Sequence, residues 1–150
     1  MVFVRKITKH FRKDNDNMMT TYEEYLGMER TLTFEDMQDI HSQMTADVGT
    51  DADAVEIYGE LIDASTKYAD MRARWLMLDR EKKTETDSRR TSCHDSVIIK
   101  FNMLARYVRM QGKDAGWRDR LGDEKENPYN RKRIGDFACY LVFINSLNAR

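Results

Sequence analysis

Proline and glycine are scarce in this chain, which has one proline and seven glycines among its 150 residues. So few breakers and turn formers favour long regular elements over a fold rich in hairpins. There are only two cysteines, Cys93 and Cys139, and neither belongs to a metal-binding spacing. Two cysteines are too few for a disulfide scaffold, so we predict that both are reduced thiols.

Long apolar runs are also missing. No stretch approaches the roughly 20 consecutive apolar residues that a membrane-spanning helix needs. The apolar start, residues 1–4, is too short for a signal peptide, and Arg5 and Lys6 follow it rather than precede it. We therefore predict a soluble, cytoplasmic protein that does not enter a membrane.

Apolar residues make up 41% of the chain, which is enough for a core, and charged residues make up 34%. A chain of this length fits a single domain, which we predict to span residues 1–150. In residues 51–80 apolar positions recur three and four apart, and this period predicts a helix with one buried face. The stripe consists of Ala54, Ile57, Leu61, Ala64, Tyr68, Met71, Trp75 and Leu78.

Shorter stripes of the same period predict further helices at about residues 20–29, 35–47, 92–112 and 128–147. We expect the charged run 80–90 to be either the solvated end of the long helix or an exposed connector. Several helices joined by short links favour an all-α fold. The predicted architecture is an up-and-down helical bundle around one long central helix at about 51–80.

Four large apolar residues end the central stripe: Trp75, Leu76, Met77 and Leu78. Leaving such side chains in water forfeits about 1.5–3 kcal/mol each. We therefore predict a homodimer in which a second subunit covers this end.

The net charge is only −1, but it is unevenly distributed. Residues 1–13 hold five bases and no acid, residues 14–63 hold fourteen acids and one base, and residues 64–150 hold nineteen bases and twelve acids. Segregated charge favours interactions through charged faces. We predict that residues 1–17 form a basic arm, either flexible or docked, and that the acidic part packs beside the basic part of the same chain or of a twin.

Five carboxylates on two neighbouring predicted helices give the sharpest enzymatic hypothesis. Acids three or four residues apart share one face of a helix, and two such helices side by side gather oxygen ligands for Mg²⁺. Acids at these spacings are also typical of a solvated helix face. The candidate metal ligands are Glu35, Asp36 and Asp39 on one helix and Glu60 and Asp63 on the next.

This pattern resembles the all-α nucleotide pyrophosphohydrolases, whose signature is a glutamate pair, a third acid three residues on, a spacer, and a final glutamate-x-x-aspartate. Glu60 and Asp63 match the last part, whereas Asp36 and Asp39 stand where the family has longer glutamates. The resemblance implies a magnesium-dependent hydrolase in which the metal orients phosphates and activates water. It is our first alternative to a protein without enzymatic activity or cofactor.

A basic stretch with interleaved aromatic residues supports a second alternative, nucleic-acid binding. Arginines beside exposed rings suit phosphate contact and base stacking. Acids in the same stretch dilute its potential, and no established nucleic-acid-binding motif occurs. The candidate anion-binding residues are Arg106, Arg109, Arg118, Arg120, Arg131, Lys132 and Arg133.

Cys93 and His94 are adjacent, and neighbours on a helix point about 100° apart, so they do not suit a nucleophile and its base. We predict that His94 packs against neighbouring side chains or caps a helix.

Residues 131–138, with the sequence RKRIGDFA, and the ending 146–150 resemble a small bacterial family of uncharacterised helical proteins. The resemblance covers mainly residues 93–150 and implies a bacterial, soluble, helical protein. It implies no activity and no functional residue. We therefore expect a non-catalytic interaction or regulatory protein that associates with itself.

Overall fold

The computed structural model describes residues 32–123, 125–127 and 130–148, and within them it contains five helices and no strand. The helices are α1 (Phe34–Val48), α2 (Ala52–Leu76), α3 (Arg80–Met110), α4 (Gly116–Leu121) and α5 (Asn130–Asn148). The predicted all-α bundle is confirmed. The predicted basic arm, residues 1–17, and the predicted helix at 20–29 lie outside the described residues.

Helices α2 and α3 run antiparallel along their whole length. At one end the Tyr107 hydroxyl donates a hydrogen bond to the carboxylate of Asp51, at 2.7 Å. Further along, the ammonium group of Lys100 lies 2.9 Å from a carboxylate oxygen of Glu60. Because residue numbers rise in one helix as they fall in the other, the two helices form an up-and-down pair.

Helix α5 is also antiparallel to α2. The amide of Asn145 donates to the hydroxyl of Tyr58 at 3.4 Å, and the guanidinium of Arg72 donates to Asp136 at 3.0 Å. Helices α2, α3 and α5 therefore form a three-helix bundle, and the short helices α1 and α4 pack across one side of it.

The boundaries of the predicted central helix differ from those observed. Helix α2 ends at Leu76, and the charged run 80–90 belongs to α3, which with 31 residues is the longest described helix. The carboxylate of Asp79 accepts a hydrogen bond from the backbone N–H of Lys82 at 2.9 Å, so it caps α3. An N-capping aspartate therefore starts a new helix where the sequence predicted the solvated end of the long helix or an exposed connector.

The core lies where α2, α3 and α5 meet. The stripes predicted for the later helices are confirmed, because Val97, Phe101, Leu104 and Val108 of α3 and Ile134, Phe137, Ala138 and Leu141 of α5 are all buried. The rings of Phe101 and Phe137 pack with their centroids 5.9 Å apart. On the side of the bundle, the buried Trp117 of α4 donates to Asp47 of α1 at 2.9 Å, which fastens the short helices together.

The apolar end of α2 is partly covered by its own chain. The indole N–H of Trp75 donates to the carbonyl of Lys83 at 3.1 Å, and the guanidinium of Arg90 lies 4.3 Å from the ring centroid. Leu76 and Met77, by contrast, are 59% and 85% exposed. Trp75 thus needs no second subunit to cover it, and the predicted self-association now depends on these two side chains.

Candidate functional site

The carboxylates predicted on α1 pair with a cation from the same chain. Arg120 lies 3.0 Å from Asp39 and 3.6 Å from Asp36. Asp36 also belongs to a capping box with Thr33, and hydrogen bonds from Thr33 hold the pKa of Asp36 below its ordinary value. Together with the exposed Glu35, these acids line a shallow groove on α1.

The acids predicted on α2 line a separate groove between α2 and α3. Glu60 pairs there with Lys100, and Asp63 lies beside Lys67 and Cys93. The two halves of the predicted metal site therefore do not converge. In the part of the chain that the structure describes, no three His, Cys, Asp or Glu side chains lie close enough together to hold a metal ion. The magnesium alternative consequently has no geometric support here.

Two of the seven basic candidates stabilise the segment between α3 and α5. The buried guanidinium of Arg118 donates to the side chain of Asn102 at 2.7 Å and to the carbonyl of Gly122 at 2.8 Å. Arg109 donates to the backbone carbonyls of Asp114 and Ala115. Because these donors are engaged within the fold, they do not serve as an open phosphate-binding face.

The other five basic candidates point to different places. Arg120 pairs with acids of α1, and Arg133 donates to the carbonyl of Arg120. Arg106 lies on an exposed patch of α3, whereas Arg131 and Lys132 line a cleft at the opposite end of the bundle. The open basic face that nucleic-acid binding requires is therefore not found among the described residues.

This cleft has a volume of about 420 Å³ and lies between the C-terminal half of α2, the N-terminal half of α3 and the start of α5. Each of the three helices contributes at least one cationic side chain. We call it the cationic cleft. Its lining residues are Tyr68, Arg72, Trp75 and Leu76 from α2, Arg90, Thr91 and His94 from α3, and Arg131 and Lys132 from α5.

Helical periodicity and one glycine bring these residues together. Tyr68, Arg72 and Trp75 lie four and three residues apart, so they share one face of α2. Helix α5 approaches closely because Gly135 has no side chain: a Cβ atom there would lie 2.5 Å from the hydroxyl of Tyr68 and 3.3 Å from Nε2 of His94. Replacing this glycine would therefore crowd the floor of the cleft.

Carboxylates position the four cations of the cleft. Asp136 accepts from both Arg72 and Lys132, Asp95 accepts from Arg131 at 3.1 Å, and Asp87 accepts from Arg90 at 2.9 Å. The four cations and the three carboxylates together carry a net charge of +1. The N-terminus of α5 adds a partial positive charge from its backbone dipole. Together they favour an anion in the cleft.

Tyr68 and His94 form the floor of the cleft, and each is only 4% exposed. Their rings meet edge to face, with centroids 5.1 Å apart. Nε2 of His94 lies 2.7 Å from the carbonyl oxygen of Arg131. Since a carbonyl only accepts hydrogen bonds, Nε2 carries the proton, and Nδ1 of the neutral ring is an acceptor.

Three polar groups of the cleft have no hydrogen-bond partner among the described residues. They are Nδ1 of His94, Nε of Arg90 and the hydroxyl of Tyr68, and the first two atoms are fully buried. Buried polar groups in folded proteins are rarely left unpaired, because each costs about 1–3 kcal/mol. The two buried atoms have no solvent-accessible surface, so among these three groups only the Tyr68 hydroxyl is open to a ligand in the cleft.

The histidines give the protein a predictable dependence of stability on pH. Burial lowers the pKa of His41 and of His94 from the ordinary 6.5, and the Arg131 carbonyl only partly offsets this for His94. Each neutral ring must gain a proton on unfolding in mild acid, so the unfolded state binds more protons there. The contribution of the two histidines to the free energy of unfolding is therefore expected to be at its maximum above about pH 6.5 and to decrease as the pH drops below that value.

Urea denaturation at several pH values measures this dependence. A double variant, His41→Gln with His94→Gln, has no titrating group at either position and is expected to show a shallower loss between neutral and mildly acidic pH. An identical slope in the two proteins would contradict the assignment.

Arg131 and Lys132 are anion-binding candidates in the sequence, but most of the other cleft residues are not. In the sequence Tyr68 and Trp75 are members of an apolar stripe, and no pattern singles out Arg72 or Arg90. The spacing of Tyr68, Arg72 and Trp75 was the available signal, since it places an arginine between two aromatic residues on one helix face. The prediction that His94 packs against its neighbours is consistent with its burial and its contact with Tyr68.

None of the described helices combines the length and the apolar character that crossing a membrane requires. No protein-family model, curated protein or solved structure matches the chain. The resemblance to a small bacterial family of helical proteins therefore stays a prediction.

Proposed function

We propose that this protein is a non-catalytic binding protein of interaction or regulatory type that takes up an anionic ligand in the cationic cleft. The observation that carries the proposal is the convergence of four cations from three helices on one cleft. Cys93 lines the other groove while His94 lines the cleft, so these two side chains do not face each other as a nucleophile and its base would.

The ion pairs of the cleft do not prevent an anion from binding. The paired side chains of Arg131 and Asp95 are 36% and 53% exposed, and ion pairs this exposed contribute only about 0–1 kcal/mol. An arginine can therefore add a ligand oxygen to its partners at small cost, since its planar guanidinium offers five donors.

Titration calorimetry with pyrophosphate tests the proposal. Arg131→Gln removes a cleft cation and its ion pair, and we expect affinity to fall about tenfold because a hydrogen bond to a charged group is worth about 1.5–3 kcal/mol. Arg74→Gln is the matched control: it also removes one positive charge and one ion pair, with Asp70, but Arg74 does not line the cleft.

The control variant is expected to bind pyrophosphate as the unaltered protein does. An equal loss in both variants would indicate binding through overall charge alone. No heat of binding in the unaltered protein would refute the proposal.

Self-association is a second proposal and is independent of the ligand. It is supported by the exposure of Leu76 and Met77 at the turn between α2 and α3, where two large apolar side chains are adjacent. Leu76 also lines the cleft, so a second subunit docked at this turn would border the anion-binding site.

A further inference from the structure

The size and the polar floor of the cationic cleft indicate more than the charge of its ligand. A volume of about 420 Å³ falls within the range of small-molecule pockets, about 300–1,000 Å³. A water molecule takes about 30 Å³ of liquid volume, so a single oxyanion fills only a small part of this cleft. The remaining space accommodates an organic group attached to the anion.

The floor also indicates a polar atom on that organic group. The Tyr68 hydroxyl lines the cleft, has no hydrogen-bond partner among the described residues, and can both donate and accept. A ligand hydroxyl suits it, because it too donates one hydrogen bond and accepts others.

The rim favours a phosphate as the anion. Cations approach from three helices, with Arg72 on α2, Arg90 on α3, and Arg131 and Lys132 on α5. A planar carboxylate is satisfied by one arginine fork, whereas the oxygens of a tetrahedral phosphate accept from several directions at once.

The aromatic wall of the cleft does not suit a stacked base. The guanidinium of Arg90 and the ammonium of Lys83 lie over the ring of Trp75, at 4.3 Å and 4.9 Å from its centroid. Tyr68 is buried with its ring against His94. Because these ring faces are already engaged, a polyol fits the cleft better than a nucleobase does.

We propose that the cationic cleft binds a phosphate ester of a polyol or sugar, with the phosphate among the arginines of the rim and a ligand hydroxyl hydrogen-bonded to the hydroxyl of Tyr68. The proposal rests on the anion-binding function proposed above and names the class of ligand. Burial raises the pKa of Tyr68, so its hydroxyl remains protonated and able to donate at neutral pH.

Calorimetric titrations with ribose 5-phosphate, methyl phosphate and ribose test the proposal. We expect ribose 5-phosphate to bind about twofold to tenfold more tightly than methyl phosphate, the ratio given by one added neutral hydrogen bond of about 0.5–1.5 kcal/mol. Ribose alone, without the anion, is expected to bind much more weakly than either phosphate.

A conservative variant locates the hydroxyl contact. Tyr68→Phe removes only the phenolic oxygen. It is expected to bring the ratio of the affinities for ribose 5-phosphate and methyl phosphate close to one. Tyr58→Phe is the control, because Tyr58 contacts His41 and Asn145 outside the cleft.

The outcomes separate the two proposals. If methyl phosphate binds but ribose 5-phosphate gains nothing, the ligand class is wrong and the anion site stands. If neither phosphate ester binds, the ligand class is wrong, and the anion site fails as well only if pyrophosphate does not bind either. Adenosine monophosphate binding tenfold more tightly than ribose 5-phosphate would also overturn the polyol assignment, because it would show that the cleft accepts a base.

Discussion

Replacing Phe101 with alanine is expected to lower the free energy of unfolding by about 3–5 kcal/mol. Phe101 is fully buried in α3 and packs against Phe137 of α5, at the centre of the three-helix bundle. Removing its ring takes away the transfer free energy of the buried carbons and leaves a cavity that the surrounding helices fill only in part. This loss is a large share of the stability of an ordinary domain, about 5–15 kcal/mol.

Denaturant titration followed by circular dichroism measures the change. Ile99→Ala is the matched control, because Ile99 is on the same helix two residues away but is largely exposed. Its effect is expected to stay within about 0.5 kcal/mol. Similar small losses in both variants would show that the bundle core does not pass through Phe101.

A pair of glycine replacements is expected to have effects of opposite sign. Gly135→Ala on α5 would place a Cβ atom 2.5 Å from the hydroxyl of Tyr68, which is held in the floor of the cationic cleft. Overpacking of this kind costs about 1–3 kcal/mol, which outweighs the gain in helix propensity of up to about 1 kcal/mol. We therefore expect lower stability and, because the cleft floor must shift, weaker ligand binding.

Gly59→Ala on α2 is the matched replacement. Gly59 lies inside a helix, and a Cβ atom there would meet no atom within 4 Å. Alanine is the better helix former, so the free energy of unfolding is expected to rise by about 0.5–1 kcal/mol. Thermal denaturation of the two variants tests both signs, and a stabilised Gly135→Ala would contradict the close approach of α5 to Tyr68.

The buried faces of the later helices could be predicted from sequence because they depend on local periodicity. Val97, Phe101, Leu104 and Val108 recur every three or four residues and are all buried in α3. The C-terminal end of the helix predicted at residues 51–80 was less accurate. Its apolar period continues through Trp75 and Leu78, so it gave no sign that α2 ends at Leu76.

The first third of α3 was predicted as the solvated end of the preceding helix or as a connector, and not as the start of the next helix, for the opposite reason. Residues 80–90 contain no apolar side chain, and without an apolar face a segment shows no helical period. They are nevertheless helical because Asp79 caps their N-terminus and the helix continues into the buried part of α3. The sequence contains many aspartates, and Asp79 is identified as the N-cap only by its hydrogen bond from the backbone N–H of Lys82.

The charged residues show most clearly which information the sequence lacks. Asp36 and Asp39 have the spacing of metal ligands, but Arg120, some eighty residues later, pairs with both of them. Likewise, Arg131 and Lys132 were identified as basic, but their common cleft with Arg72 and Arg90 was not. Ion pairs form between side chains that are close in space, and the spacing of residues along one helix does not show which side chain from a distant part of the sequence packs against it.

The sequence by itself determined that the protein is helical, which faces of its later helices are buried, and that its charge is segregated, since each of these follows from composition or from a period of a few residues. Tertiary structure alone decided where α2 stops, which ions pair, and that Tyr68, His94 and Arg131 meet at one cleft. The physical reason is that these features depend on how three helices pack, and that packing requires the bare backbone of Gly135 to lie against a buried tyrosine.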